Sequence, residues 1–335
     1  MTTSAASEAN MVGYALLMLL ALGALSWSAL ALHYTGPGPR AVRDTLAVLS
    51  LLGPLAAGLA LQSFVHAMVA AALVFALALT RFLSIRPPQH ADWQPNVAEL
   101  PQAELVGDIL TIHNVRNFEY RSKSDYTPRW ETRTYDLSKL VGLDMFFSHW
   151  SSPAIAHTIV SWPFSDGRHL AISVETRNRA GQRYSSIAGF FRQFPIYYVV
   201  ADERDVILLR TNHRRERVWL YRLEVPAGVP RSLLLEYIET VNRLAERPAW
   251  YNALTDNCTT TIRTHVHHLS PGRYPWSWRL LANGYLPGLL YDESRLDRSL
   301  PFDELREVSS INARAEAASH REFSCEIRVG LPGEP

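Results

Sequence analysis

The chain has 335 residues, 47% of them hydrophobic, and its 33 basic and 32 acidic side chains leave a net charge of +1. A balance so near zero offers no attraction to a polyanion, which excludes a nucleic-acid binder driven by charge. Two cysteines exclude a multi-bridge disulfide framework and a zinc site built from four thiolates.

The charges are unevenly spread, because the first 80 residues carry only Glu8, Arg40, Arg43 and Asp44. Residues 11–32, MVGYALLMLLALGALSWSALAL, contain none. At about 1.5 Å per residue this run spans a hydrocarbon core of about 30 Å. It lacks a basic leader and is too long for the core of a cleaved signal peptide. It also has no polar stripe, so it reads as a membrane span rather than a buried core helix.

The next uncharged run, residues 45–80, would be about 54 Å long as one straight helix, well beyond a bilayer. Gln62, Ser63 and His66 break it near the middle. Two spans are therefore expected, near 45–61 and 64–80, with Pro54 a candidate kink and His66 an interfacial side chain. Residues 1–83 thus form a membrane anchor whose partners are bilayer lipids. Arg40, Arg43, Arg81 and Arg86 lie where the positive-inside rule would put the remainder of the chain in the cytoplasm.

Residues 84–99 read as a Pro-bearing juxtamembrane linker, and residues 100–335 as a polar α+β domain large enough for its own core. Strand patterns occur in residues 104–115, around a Gly-Asp turn, and in residues 132–137 and 145–150. The clearest hairpin covers residues 156–177, with a turn at Ser165-Asp166-Gly167. Residues 195–201, 205–212 and 217–225 read as further strands. The period then changes. Residues 232–248 space apolar side chains three and four apart up to Pro248, as in an amphipathic helix. A second helix is expected to begin at Cys258, capped by Asp256 or Asn257. Residues 303–318 also look helical.

Cys258 is the sharpest candidate for chemistry. At a helix N-terminus, unpaired N–H groups and the helix dipole favour a thiolate and can hold an oxyanion. A buried structural thiol and a disulfide to Cys325 are the competing readings. A thiol enzyme also needs a base, and His157 opens the first strand of the hairpin. With a three-residue turn, Phe164 pairs with Arg168 and His157 lies opposite Glu175. That register puts His157, Ser161, Ser173 and Glu175 on one face, with Val160, Leu170, Ile172 and Val174 on the other. A two-residue turn would reverse the placement of Glu175. Glu175 is then the candidate that orients the imidazole, with Asn257, Thr259 and Ser173 in support of substrate or oxyanion. His265, His267 and His268 do not complete a familiar zinc pattern with Cys258, so neither a metal nor another cofactor is expected. Arg177, Arg192, Glu203, Arg204 and Asp205 read as a solvated charged rim.

Two stretches, residues 156–212 and 244–265, together with NGYLPGLLYD and FSCEIRVGLPG near the end, resemble the Lnb N-terminal periplasmic domain family over about 92–333. His157 and the run Asn257 to Thr260 meet its early His and its N-C-T-T element. A more distant resemblance is to circularly permuted papain-like proteins, the class of NlpC-like amidases and lecithin retinol acyltransferase relatives. It rests on His157 on a strand, then Glu175, then Cys258 at a helix start; Asn257, Thr259 and Thr260 depart from the acyltransferase pattern. The resemblance implies a multi-pass protein of the bacterial inner membrane with a periplasmic papain-like domain. It also implies a cysteine hydrolase or acyltransferase acting on an amide, ester or thioester of envelope peptide, lipid or lipoprotein. The alternative is a non-enzymatic shell that binds a partner, with Cys258 structural.

Overall fold

The computed structural model describes residues 2–269 and 277–333, and side-chain environments from Met11 onward. The chain separates into two compact units, residues 1–87 with 184–194, and residues 88–183 with 195–335.

The first unit holds three long helices, α1 (Thr2–Thr35), α2 (Arg40–Ala60) and α3 (Phe64–Ser84). Each is long and apolar enough to cross a membrane. They run past the uncharged stretches at both ends of the first loop. Alpha-helical structure continues to Thr35, stops at the Gly36-Pro37-Gly38-Pro39 segment and resumes at Arg40. The expected break falls at Gln62, whose φ of 47° and the bond from the Ser63 amide to the Gly58 carbonyl (3.0 Å) turn the chain tightly. Pro54 sits inside α2 without ending it. The last carbonyls of a helix lack intrahelical partners. At α3 they accept from Arg192, whose Nη1 lies 2.8 Å from the Phe82 carbonyl and 3.1 Å from those of Leu83 and Ile85. Phe191 stacks on Tyr34 at 5.3 Å, so the segment 184–194 is held at two helix ends.

The second unit begins with β1 (Gln102–Val106), β2 (Ile109–Arg116), the short pair β3 (Glu119–Tyr120) and β4 (Tyr126–Thr127), and β5 (Trp130–Asp136). Then come β6 (Asp144–His149), β7 (His157–Pro163), β8 (His169–Thr176), β9 (Ile196–Asp202), α4 (Glu203–Leu208) and β10 (Arg217–Arg222). Helices complete it: α5 (Val229–Glu246), α6 (Cys258–Leu269), α7 (Leu286–Asp292), α8 (Phe302–Val308), α9 (Asn312–Ala317) and α10 (Phe323–Glu326). One mixed sheet runs β1-β2-β9-β8-β7-β6-β10, with β5 also on β2, and among the described residues only its β2–β9 pairing is parallel. The fold is α+β, with a largely antiparallel sheet and a helix that begins at the cysteine.

Alternation along the strands divides the core between two faces. Val160, Trp162, Leu170, Ile172, Val174, Met145 and Phe147 pack with Leu234, Tyr237 and Val241 of α5 and Ile262 of α6. Phe146, Ile159, Ala171, Val199 and Leu220 pack on the other side with Val206 and Ile207 of α4, Ile311 and Phe323.

Residues 205–212 are not the expected strand. They form α4 and a wider π-type turn, Leu209–His213, and residues 205–211 are all buried. A short apolar run buried on every side has no readable period, which makes strand and core helix indistinguishable by pattern. The local signal that decides it is Asp202, whose side chain caps the helix by accepting from the Arg204 amide at 2.9 Å. Residues 303–318 split into α8 and α9 around Ser309 to Ile311, where the Leu220 amide takes the Ser309 carbonyl at 2.9 Å.

The charged rim is likewise corrected. Glu203 and Asp205 are fully buried, and Arg177 is nearly so. Asp205 accepts from Arg116 Nε at 2.9 Å and from the Phe118 amide at 2.5 Å. Arg328 clamps Asp144 (2.7 and 2.9 Å) and Glu203 (2.7 Å through each of two nitrogens), and Ser161 donates to Glu203 at 2.5 Å. Burial alone would raise the Glu203 carboxyl, but Arg328 holds it down to about 2. The tail of the chain is thereby pinned beneath the sheet. Replacing Arg328 by Met strands two buried carboxylates, so urea unfolding should show a loss of about 3–5 kcal/mol. An unchanged midpoint would mean that water already reaches the cluster.

Candidate active site

Helix α6 starts where its sequence says it should. Asn257 is the cap: its Oδ1 accepts from the amides of Thr259 (2.9 Å) and Thr260 (3.0 Å), while its own amide donates to Thr260 Oγ1 (3.0 Å). This reciprocal arrangement satisfies N–H groups that the first turn leaves over. It makes Cys258 the first helical residue, with Ile262 one turn on and packed in the α5 layer.

Cys258 and Cys325 are both free thiols, so the disulfide reading is overturned. The Cys258 side chain is half-buried and packs against the core cluster it shares with α5. Its sulfur lies 3.8 Å from Thr259 Oγ1 and 3.9 Å from Asn283 Nδ2. Burial pushes the thiol above its usual range, opposed by N–H groups of Thr158, Thr259 and Cys258 itself. The helix start does not lower it as the sequence suggested, because loss of solvent outweighs the dipole.

Asn283 organises the surroundings. Its Oδ1 accepts from the Ala156 amide at 2.7 Å, and its Nδ2 donates to the Ala156 carbonyl (2.5 Å) and Thr259 Oγ1 (2.6 Å). The carboxamide therefore ties the start of β7 to the start of α6. No local pattern singles it out, although it opens the run NGYLPGLLYD. Gly284 follows, and a Cβ there would collide with the Pro153 carbonyl and lie 2.9 Å from His149 Cε1.

The hairpin adopts the three-residue turn. The Phe164 amide bonds the Arg168 carbonyl at 2.9 Å, and the ladder pairs Ile159 with Ser173 and Val160 with Ile172. His157 and Glu175 consequently meet, with Nε2 3.7 Å from Oε1. Ser173 stands between them, 2.7 Å from His157 Nε2 and donating to Glu175 Oε1 at 2.9 Å. Because the carboxylate can only accept, the Ser173 hydrogen points to Glu175 and His157 Nε2 carries the other hydrogen. Arg210 reaches Glu175 at 2.8 Å. Burial, then the nearby Arg210 charge, depress the His157 imidazole to about 3. Burial works against the Glu175 carboxylate, but Arg210 and His157 keep its pKa well below the usual range.

The same register separates this group from the thiol. Thr158 Oγ1 faces Thr259 Oγ1 at 3.4 Å, on the α6 side of the sheet. His157, one residue earlier, shares the opposite face with Ile159, Ser173 and Glu175. Among the described residues, no hydrogen bond or ion pair joins His157 to Cys258. His149, in register beside Phe147 on β6, is turned to the same face of the sheet as Thr158. It is buried, its Nδ1 faces the Ser152 carbonyl at 3.5 Å, and Trp219 meets it edge-on at 5.0 Å. Burial lowers its pKa, which favours the neutral ring. His265 lies further along α6, bonded to the Tyr198 hydroxyl at 2.9 Å. Among the described residues, no group of three or more His, Cys, Asp or Glu is placed to hold a metal ion.

Residues 126–284 match the Lnb N-terminal periplasmic domain. The match spans just under half of the chain and takes in β7, β8, Cys258 and Asn283. No curated protein and no solved structure matches the chain. Three apolar helices followed by this domain make the chain a multi-pass inner-membrane protein with a periplasmic C-terminal domain. The arginine pattern had pointed to the cytoplasm. In the structure, Arg43 donates to the Tyr34 carbonyl at 3.1 Å and Arg40 lies 3.7 Å from Asp44, so both have local partners.

The depressed His157 gives a signed pH effect. As pH falls below about 6.5 the unfolded chain takes up this proton and the folded chain does not. Stability is full above that point and declines toward pH 3, by about 1.4 kcal/mol per pH unit from this group. His157→Gln keeps a donor to Ser173 without titrating, so urea midpoints measured from pH 7 to 5 should fall less steeply. An identical slope would place the ring in solvent.

Proposed function

We propose that the periplasmic domain is a cysteine-dependent hydrolase or acyltransferase acting on an amide, ester or thioester of the cell envelope. The seat of Cys258 carries this reading: a free thiol on the first residue of a capped helix, ringed by backbone N–H groups and the Asn283 carboxamide. A helix bearing a thiol at its N-terminus and packed on an antiparallel sheet also supports the likeness to permuted papain-like enzymes.

In this mechanism the Cys258 sulfur attacks the carbonyl carbon, and its proton passes to a base. The developing oxyanion is met by the N–H groups of Cys258 and Thr158. Collapse expels the amine, alcohol or thiol, which takes the proton back, and water or a second acceptor then receives the acyl group. We assign the base to His149 in place of His157. With the hydrogen on Nδ1 directed at Ser152, Nε2 is left as the acceptor, and consecutive residues Asn283 and Gly284 touch the thiol and the imidazole respectively. The His157–Ser173–Glu175 group would then hold β7 and β8 to Arg210 rather than join the reaction. Asn257 supports the site by fixing the helix start, and Thr259 by its contact with the sulfur.

A second reading, a shell that binds a partner without turnover, is favoured by the packing of the half-buried Cys258 against the α5 core, which pushes the thiol up. The two separate in one experiment. Full-length protein in membranes, with Cys325 replaced by Ala, is exposed to an activated thioester and analysed by intact mass. The enzyme reading expects one acyl adduct on Cys258, lost in Cys258→Ala. Formation should slow by about a hundredfold or more in His149→Ala and change little in His157→Ala. Absence of any adduct on Cys258 would favour the binding shell. Slowing confined to the His157 variant would return the base to that residue.

A further inference from the structure

A cavity of about 430 Å³ opens beside His149, walled by Trp219, Tyr221, Tyr285, Tyr291 and Phe302. Its aromatic walls come from β10, α7, α8 and the turn that follows Asn283. This is the size of a small-ligand site, a half-open cleft with aromatic walls and a few polar groups.

Those polar groups differ in how they are matched. Arg279 and Asp292, both on the rim, neutralise each other at 2.7 Å. Arg306 has no such partner. Its guanidinium lies over the Trp219 ring at 5.5 Å, and among the described residues it makes no hydrogen bond or ion pair. His149, 6% exposed, also lines the cavity, and among the described residues its Nε2 makes no hydrogen bond. The site thus offers an apolar chamber, one unmatched cation at its rim and one polar nitrogen within.

We propose that this cavity binds a single-chain amphiphile, its apolar chain among the aromatic walls and its anionic head on Arg306. The ligand class rests on the cavity alone, and its connection to chemistry rests on the thiol reading above through the Asn283–Gly284 segment. The aromatic rings exclude water from the chain, and the guanidinium selects the charged head over a neutral one.

The test uses the full chain in lipid nanodiscs with Cys258→Ala, so binding is read without the thiol, and a failure of the nucleophile assignment remains separate. Octanoate and octanol share a chain and differ in charge. Calorimetric titration, with empty nanodiscs subtracted, should show octanoate binding about tenfold more tightly than octanol. Arg306→Gln should bring octanoate to the octanol value and leave octanol unchanged. Gly288 lines the cavity on α7 and has room for a side chain, with Phe302 3.7 Å from an added Cβ. Gly288→Leu should fill the space and abolish binding of both. Equal affinities for the two probes, a preference that survives Arg306→Gln, or binding unaffected by Gly288→Leu would each overturn the proposal.

Discussion

The parity of one hairpin decides what every other residue of the site can do. Three residues at Ser165-Asp166-Gly167 set β7 against β8 so that Ile159 meets Ser173. Side chains alternate across a sheet, so this choice fixes both faces at once. Thr158 is turned toward α6 and its cysteine, while His157, Ser173 and Glu175 are turned toward Arg210. A shift of one residue would exchange these sets and bury Glu175 against the α5 layer without a cation.

Two kinds of polar structure are built on that sheet. On the α4 side, charges are paired in networks that reach distant parts of the chain: Arg328 joins β6 to α4 and the tail, and Arg116 joins β2 to α4. Such clusters are costly to desolvate and more costly to break, which makes them determinants of a single arrangement. Around Cys258, on the α6 side, the polar groups are neutral. There the carboxamide of Asn283, the cap of Asn257 and the hydroxyl of Thr259 hold the first turn of a helix against a strand. The first kind fixes the frame, and the second leaves a thiol and an imidazole without strong partners.

Much of this was legible in the sequence where a local signal was strong. The three spans, the Asn257 cap, the amphipathic α5 and the hairpin register all follow from charge gaps, capping residues, period and turn length. The register even brought His157 to Glu175 as expected. What it could not reveal was on which side α6 would pack, because that depends on contacts between residues more than 100 apart, such as Thr158 with Thr259. Asn283 and His149 were missed for the same reason. Their neighbours in sequence do not distinguish them, and only the assembled fold puts Asn283 beside Cys258 and turns His149 to the same face of the sheet as Thr158. Residues 205–212 failed differently: an apolar run buried on all sides carries no period to read.

Gly284 gives the arrangement a further property. Its missing side chain lets the backbone lie against Pro153 and the His149 ring, one residue after the carboxamide that holds α6 to β7. The wall of the aromatic cavity and the carboxamide beside the thiol are therefore consecutive residues and cannot drift apart independently. A substitution that reshapes the cavity wall at this point will also move the carboxamide, so tolerated changes at the two places must be correlated. Diversity in what the cavity accepts is then confined to positions remote from this link, on the outer turns of α7 and α8.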